Sequence, residues 1–128
     1  MHPGRLVVTA GVVVAGLAVL FPFVDLPVIG TVDGVDGDAW PALIPLAAVL
    51  LPALLGDRSL GHRARSGVPS LVACCTAAVF ASAKLADSVG AVRDAGEGAS
   101  LGAGPWVMLV GTLVAIVGEV LAMTIPPR

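Results

Sequence analysis

The chain has 128 residues, 57% of them hydrophobic and 12% charged, with a mean hydropathy of +0.99. Soluble domains carry about twice that charge, so too little charge is present to cover a soluble surface. A net charge of −2, no tyrosine and only two cysteines exclude a nucleic-acid stacking platform and a disulfide framework.

The first apolar run, "LVVTAGVVVAGLAVLFPFV", covers residues 6–24 and follows "MHPGR". Its length, and the lack of a small-residue cleavage site after it, favour an uncleaved transmembrane helix over a signal peptide. The second run, residues 41–56, is short and contains Pro41, Pro45 and Pro52. Pro41 suits a first helical turn, whereas Pro45 and Pro52 are expected to kink the helix. A third run covers residues 68–86. Its Ser70, Cys74, Ala78, Ser82 and Ala86 recur every fourth position, beside a row of Ala73, Ala77 and Ala81. The fourth run, residues 105–125, has Gly111 with Ala115 and Gly118 with Ala122, and the first has Gly11 with Ala15. Rows of small residues let helix backbones approach closely in lipid. The spacing therefore predicts an all-α bundle of four transmembrane helices in one domain.

The connections are an outer loop at 25–40, an inner loop at 57–67 and an outer loop at 87–104. Trp40 and Trp106 each precede a span, at equivalent points of a faint two-fold repeat, and serve as anchors at the membrane interface. Arg5, Arg58, Arg63, Arg65 and Arg128 fall on one side of the four-span arrangement, and only Lys84 and Arg93 on the other. The positive-inside rule then places both termini in the cytoplasm of a cell whose plasma (inner) membrane the chain crosses several times. Arg58, Arg63 and Arg65 form an inner basic patch suited to anionic headgroups. Lys84 is expected to snorkel outward and to pair with Asp87. Cys74 and Cys75 read as buried, inert thiols pointing in different directions.

Two groups are candidates for chemistry. Asp33, Asp36 and Asp38 place hard oxygen ligands on a glycine-rich loop, which suits weak calcium binding. However, the EF-hand spacing and its distal glutamate are missing, and a solvated turn is the leading reading. No other cofactor is implied. Glu119 is the one ionisable residue deep within a span. It is either protonated in the bundle, paired with Arg5 or Arg58, or lines a proton or cation path. The structural readings come first, because pairing near an interface lowers the cost of burial. No nucleophile-and-base arrangement, Walker loop or zinc motif is present, so no enzyme is expected.

The stretches "GVDGDAW" and "GAGPW", with the short basic inner loop between them, resemble those of small four-span actinobacterial membrane proteins. The resemblance implies an architecture and no activity. Ala39 stands where that pattern has its last glycine, which counts against a metal in the loop. The leading expectation is a small non-enzymatic accessory or structural subunit. Its partners would be membrane lipids and other membrane proteins or itself, with no nucleic acid. The alternatives are a minor proton or cation transporter using Glu119, and an outer-face cation sensor using Asp33, Asp36 and Asp38.

Overall fold

A computed structural model of the chain describes residues 2–27, 29–36, 39–55 and 64–124, with 64–66 as backbone only. These residues are mostly helical and form four α-helices and a small sheet. Helix α1 (Pro3–Leu17) continues as a 3-10 turn at Ala18–Leu20, α2 is Leu43–Leu54 after a 3-10 turn at Trp40–Ala42, α3 is Ala64–Ala95 and α4 is Gly104–Thr124. Strands β1 (Pro22–Leu26), β2 (Gly30–Asp33) and β3 (Ser100–Leu101) pair antiparallel in the order β2-β1-β3.

Three helical stretches, Pro3–Leu20, Gly67–Ala95 and Gly104–Thr124, have the length and apolarity to cross a membrane. The second run does not match them. Its 12-residue helix rises only about 18 Å against a hydrocarbon core of about 30 Å. Of its prolines, Pro45 falls in the first turn, where the missing N–H has no intrahelical acceptor to serve. Pro52 alone interrupts the body of this helix. Helix α1 begins three residues earlier than its apolar run because His2 caps it: Nδ1 accepts the Gly4 N–H at 3.0 Å, and Pro3 occupies the first turn.

The core is the antiparallel pair of α1 and α4. Gly4 lies against Ala122, Gly118 against Val8, and Gly11 against Gly111 and Ala115. A Cβ added at Gly11 would sit 2.5 Å from the Ala115 nitrogen, and one at Gly111 would sit 2.5 Å from the Ala15 nitrogen. Here the small residues permit backbone-to-backbone contact along the whole pair. Because Gly4 meets Ala122, the first and last described turns share one end of the bundle. Val12, Leu46, Val49, Cys74, Ala77, Ala81 and Met108 complete the interior.

The surface is as apolar as the core. Leu6, Leu20, Leu51, Val79, Val110 and Val117 are all more than half exposed. Hydroxyls on the helices bond to their own backbone: Thr76 Oγ1 donates to the Val72 carbonyl at 2.9 Å and Ser82 Oγ to that of Ala78 at 2.9 Å, although both side chains are exposed. Thr9, Ser88, Thr112 and Thr124 do likewise. Self-satisfied hydroxyls beneath a surface of Leu and Val suit lipid as the surrounding solvent.

The outer loops of the sequence reading are partly regular structure. Residues 87–95 continue α3, which stops only at Gly96, a residue with φ +76°. Strands β1 and β2 form a hairpin in which Gly30, φ +89°, opens β2 opposite Leu26, and Val24 stands opposite Val32. Gly102 donates its N–H to the Phe23 carbonyl at 2.8 Å, and a Cβ there would collide with the Pro22 oxygen.

Candidate functional site

A layer of buried polar side chains crosses the end of the bundle where α1 begins. His2, Arg5, Ser70 and Glu119 are all buried, Glu119 completely. Helix pairing sets the layer: Arg5 lies between the Gly4–Ala122 and Val8–Gly118 contacts, and Glu119 lies between the same two contacts from the other side. Opposite charges thus occupy one level of the bundle. Arg5 Nη1 donates to the Leu55 carbonyl at 2.8 Å. This places a cation at the carbonyl end of α2, where the helix dipole favours it. The Arg5 carbonyl in turn accepts from Thr9 Oγ1 at 2.8 Å.

Helix α3 brings Ser70 and Cys74 to this layer one turn apart. Cys74 is within electrostatic reach of the Glu119 carboxylate. The Arg5 Nε and Ser70 Oγ atoms are buried with no hydrogen-bond partner among the described residues. The arrangement holds the Glu119 carboxyl away from solvent, at the level of Arg5 and near Cys74. The expected partner Arg58 lies outside the described residues, as do Arg63 and Arg128; Arg65 falls in the first turn of α3. Among these basic residues, Arg5 is a buried strut rather than a free surface charge.

Gly11, Ala15, Gly111, Ala115, Gly118 and Ala122 are all buried in the α1–α4 seam. The row on α3 divides. Ser70 and Cys74 are buried, Ala78 is half-buried, and Ser82 and Ala86 are exposed. The buried stripe of α3 shifts instead to Cys74, Ala77 and Ala81, because a straight helix repeats nearer seven residues per two turns than eight. The two thiols are both free, and they differ: Cys74 is buried and Cys75 is exposed, so the expectation of two buried thiols is corrected for Cys75.

At the other end, Asp33 Oδ1 accepts the Val35 N–H at 3.0 Å and the Asp36 N–H at 2.9 Å. This is an Asx-type turn, and it uses one carboxylate oxygen of the candidate calcium loop to hold the loop itself. Asp36 is exposed and Asp38 lies outside the described residues. Among the described residues no group of three His, Cys, Asp or Glu is placed to hold a metal ion. Trp40 and Trp106 are about half exposed, each in the first turn of its helix beside the sheet. No ion pair joins Lys84 to Asp87; the Lys84 ammonium instead stands 5.5 Å from the Phe80 ring centroid. The hairpin and the extension of α3 were the features missed from sequence. The alternation "FVDL…TVD" around Gly30 was the available signal for the first. No protein-family model, curated protein or solved structure matches the chain.

Proposed function

We propose that the chain is a non-enzymatic, multi-pass protein of the plasma membrane with both termini cytoplasmic, an accessory or structural subunit that associates through the outward face of α3. One observation carries this reading. Only 22% of the apolar stretch of α3 is buried within the chain, against 44% for α1 and 39% for α4. The small-residue faces of α1 and α4 are spent on each other, so association falls to α3. Its outward side carries Cys75, Thr76, Ser82, Ala83 and Ala86, small enough for another helix to approach. The resemblance to small four-span actinobacterial proteins supports the same architecture, with the apolar helical stretch Trp40–Leu54 as the return across the bilayer. Cys75 offers a direct test. Oxidative crosslinking in native membranes is expected to give a disulfide-linked dimer or heteromer that Cys75→Ser abolishes and Cys74→Ser preserves. A monomer alone under all oxidising conditions defeats the proposal.

A second reading rests on Glu119. An enclosed carboxylate at the level of Arg5 has the makings of a proton or cation path. It requires that Glu119→Gln suppress ion flux into liposomes containing the purified protein; equal flux removes it. The cation-sensor reading of Asp33, Asp36 and Asp38 gains no further support, since Asp33 is engaged in its own turn.

A further inference from the structure

Between the sheet and the far end of α3 lies a pocket of about 200 Å³. Phe23, Val24 and Val32 form its sheet wall, and Lys84, Asp87 and Ser88 its helix wall. The helix residues are spaced three and four apart, so they form one stripe. Ser88 is buried and bonds to the Lys84 carbonyl, leaving the two charged side chains as the pocket's polar groups. These charges do not neutralise each other. The Lys84 ammonium is drawn toward Phe80, half-buried, while Asp87 is exposed. A pocket with an apolar wall and two separate opposite charges fits a zwitterion.

We propose that this pocket binds the headgroup of a phosphoethanolamine-type zwitterion, with phosphate at Lys84 and ammonium at Asp87. Three observations select this chemistry. First, Lys84 and Asp87 offer a cation and an anion within a single turn of α3, about 4.5 Å of backbone rise at 1.5 Å per residue, so one short zwitterionic headgroup meets both residues. Second, Lys84 lies one turn closer to the bundle centre than Asp87, matching a lipid whose phosphate is joined to the acyl chains and whose ammonium is the outer tip. Trp40 and Trp106 stand at the same end of the bundle, where such headgroups lie. Third, the surrounding end is acidic. Asp25, Asp36, Asp94 and Glu97 are exposed there, which disfavours an anionic headgroup.

The inference rests on the reading that the bundle spans a membrane, and alkaline carbonate extraction of membranes tests that separately. The pocket itself is tested in nanodiscs of equal phosphatidylethanolamine, phosphatidylglycerol and phosphatidylcholine, with retained lipid read by native mass spectrometry. Phosphatidylethanolamine is expected to be retained in preference to both others. Lys84→Gln and Asp87→Asn each lower that retention roughly tenfold, the scale of one lost charge-assisted hydrogen bond. Arg93→Gln, outside the pocket, leaves it unchanged. Equal retention of the three lipids, a preference for phosphatidylglycerol, or unaltered retention in both pocket variants overturns the proposal. Should a variant fail to fold, the unaltered protein still decides: its melting midpoint must rise more with phosphatidylethanolamine than with phosphatidylglycerol. Soluble glycerophosphoethanolamine separates the sources. Its displacement of the lipid shows that the headgroup alone suffices, and failure to displace assigns the site to the bilayer lipid.

Discussion

Gly118 and Gly90 are both helical glycines, yet their surroundings differ completely. A Cβ at Gly118 would meet the backbone and side chain of Val8, whereas one at Gly90 meets nothing within 4 Å. Backbone atoms of a packed helix have little room to yield. Gly118→Val is therefore expected to cost about 1–3 kcal/mol through overpacking. Gly90→Ala is expected to stabilise by about 0.5–1 kcal/mol, since it removes unfolded-state freedom without a clash. Thermal denaturation of the two variants in one detergent, with opposite shifts of the midpoint, checks both. The same scale explains what was legible in the sequence. Gly11, Ala15, Gly111, Ala115, Gly118 and Ala122 were readable as packing residues because small side chains at repeat spacing have one physical use in lipid. That Gly11 and Ala15 pack on Gly111 and Ala115, while Gly118 meets Val8 and Ala122 meets Gly4, leaving α3 as the outer helix, was not readable. Periodicity gives a face its character and leaves its partner unspecified. Glu119 was likewise recognisable as an anomaly, whereas its level opposite Arg5 depends on the register of two helices that place residues more than a hundred positions apart side by side.

At the level of elements, the sheet is the part that sequence patterning understated. Its strands are two to five residues long and interrupted by Pro22, Pro27 and glycines, so turn composition masks a short alternation. Long-range pairing decides it: β1 is held on one side by β2 and on the other by β3, from the far side of α3. Gly102 is the tight point. Gly102→Val brings a side chain into the Pro22 carbonyl and is expected to detach β3 without unfolding the helices. Limited proteolysis checks this, with new cleavage confined to residues 96–103 and helical circular dichroism unchanged. Helix α3 shows the complementary lesson. Its extension beyond residue 86 runs through Gly90, which a helix tolerates at a cost of about 1 kcal/mol, and stops at Gly96 with its φ of +76°; the exposed charges of Asp87, Arg93 and Asp94 are no obstacle to a helix. Charge ends a membrane span; it does not end a helix.

For the whole molecule, the contact of Gly4 with Ala122 brings the first and last described turns together. Reporter tags fused to the two termini are therefore expected to sense the same compartment, read by cysteine accessibility to an impermeant reagent in sealed cells and after permeabilisation. Opposite compartments would require α2 to remain on one side, which its 12 residues make the specific point at issue. The bundle also has two unlike ends. One carries the enclosed Arg5, Ser70 and Glu119; the other carries the sheet, the two tryptophans and exposed carboxylates. Three helices of suitable length and apolarity make membrane residence readable from sequence alone. The division of tasks between the two ends emerges only once the helices are placed side by side.

The pairing of the earliest helix with the latest also orders events during synthesis. In a chain that enters a bilayer as it is made, the α1 notch at Gly4 and Gly11 would have only acyl chains to fill it, and these fit a glycine groove poorly. The true occupant arrives after some eighty further residues have been translated and α4 has followed. Until then α2 and α3 surround an unfinished seam. The nascent protein thus closes like a ring whose clasp is made last, and any premature release of the chain before α4 leaves the opening half of the clasp exposed to whatever helices are nearby.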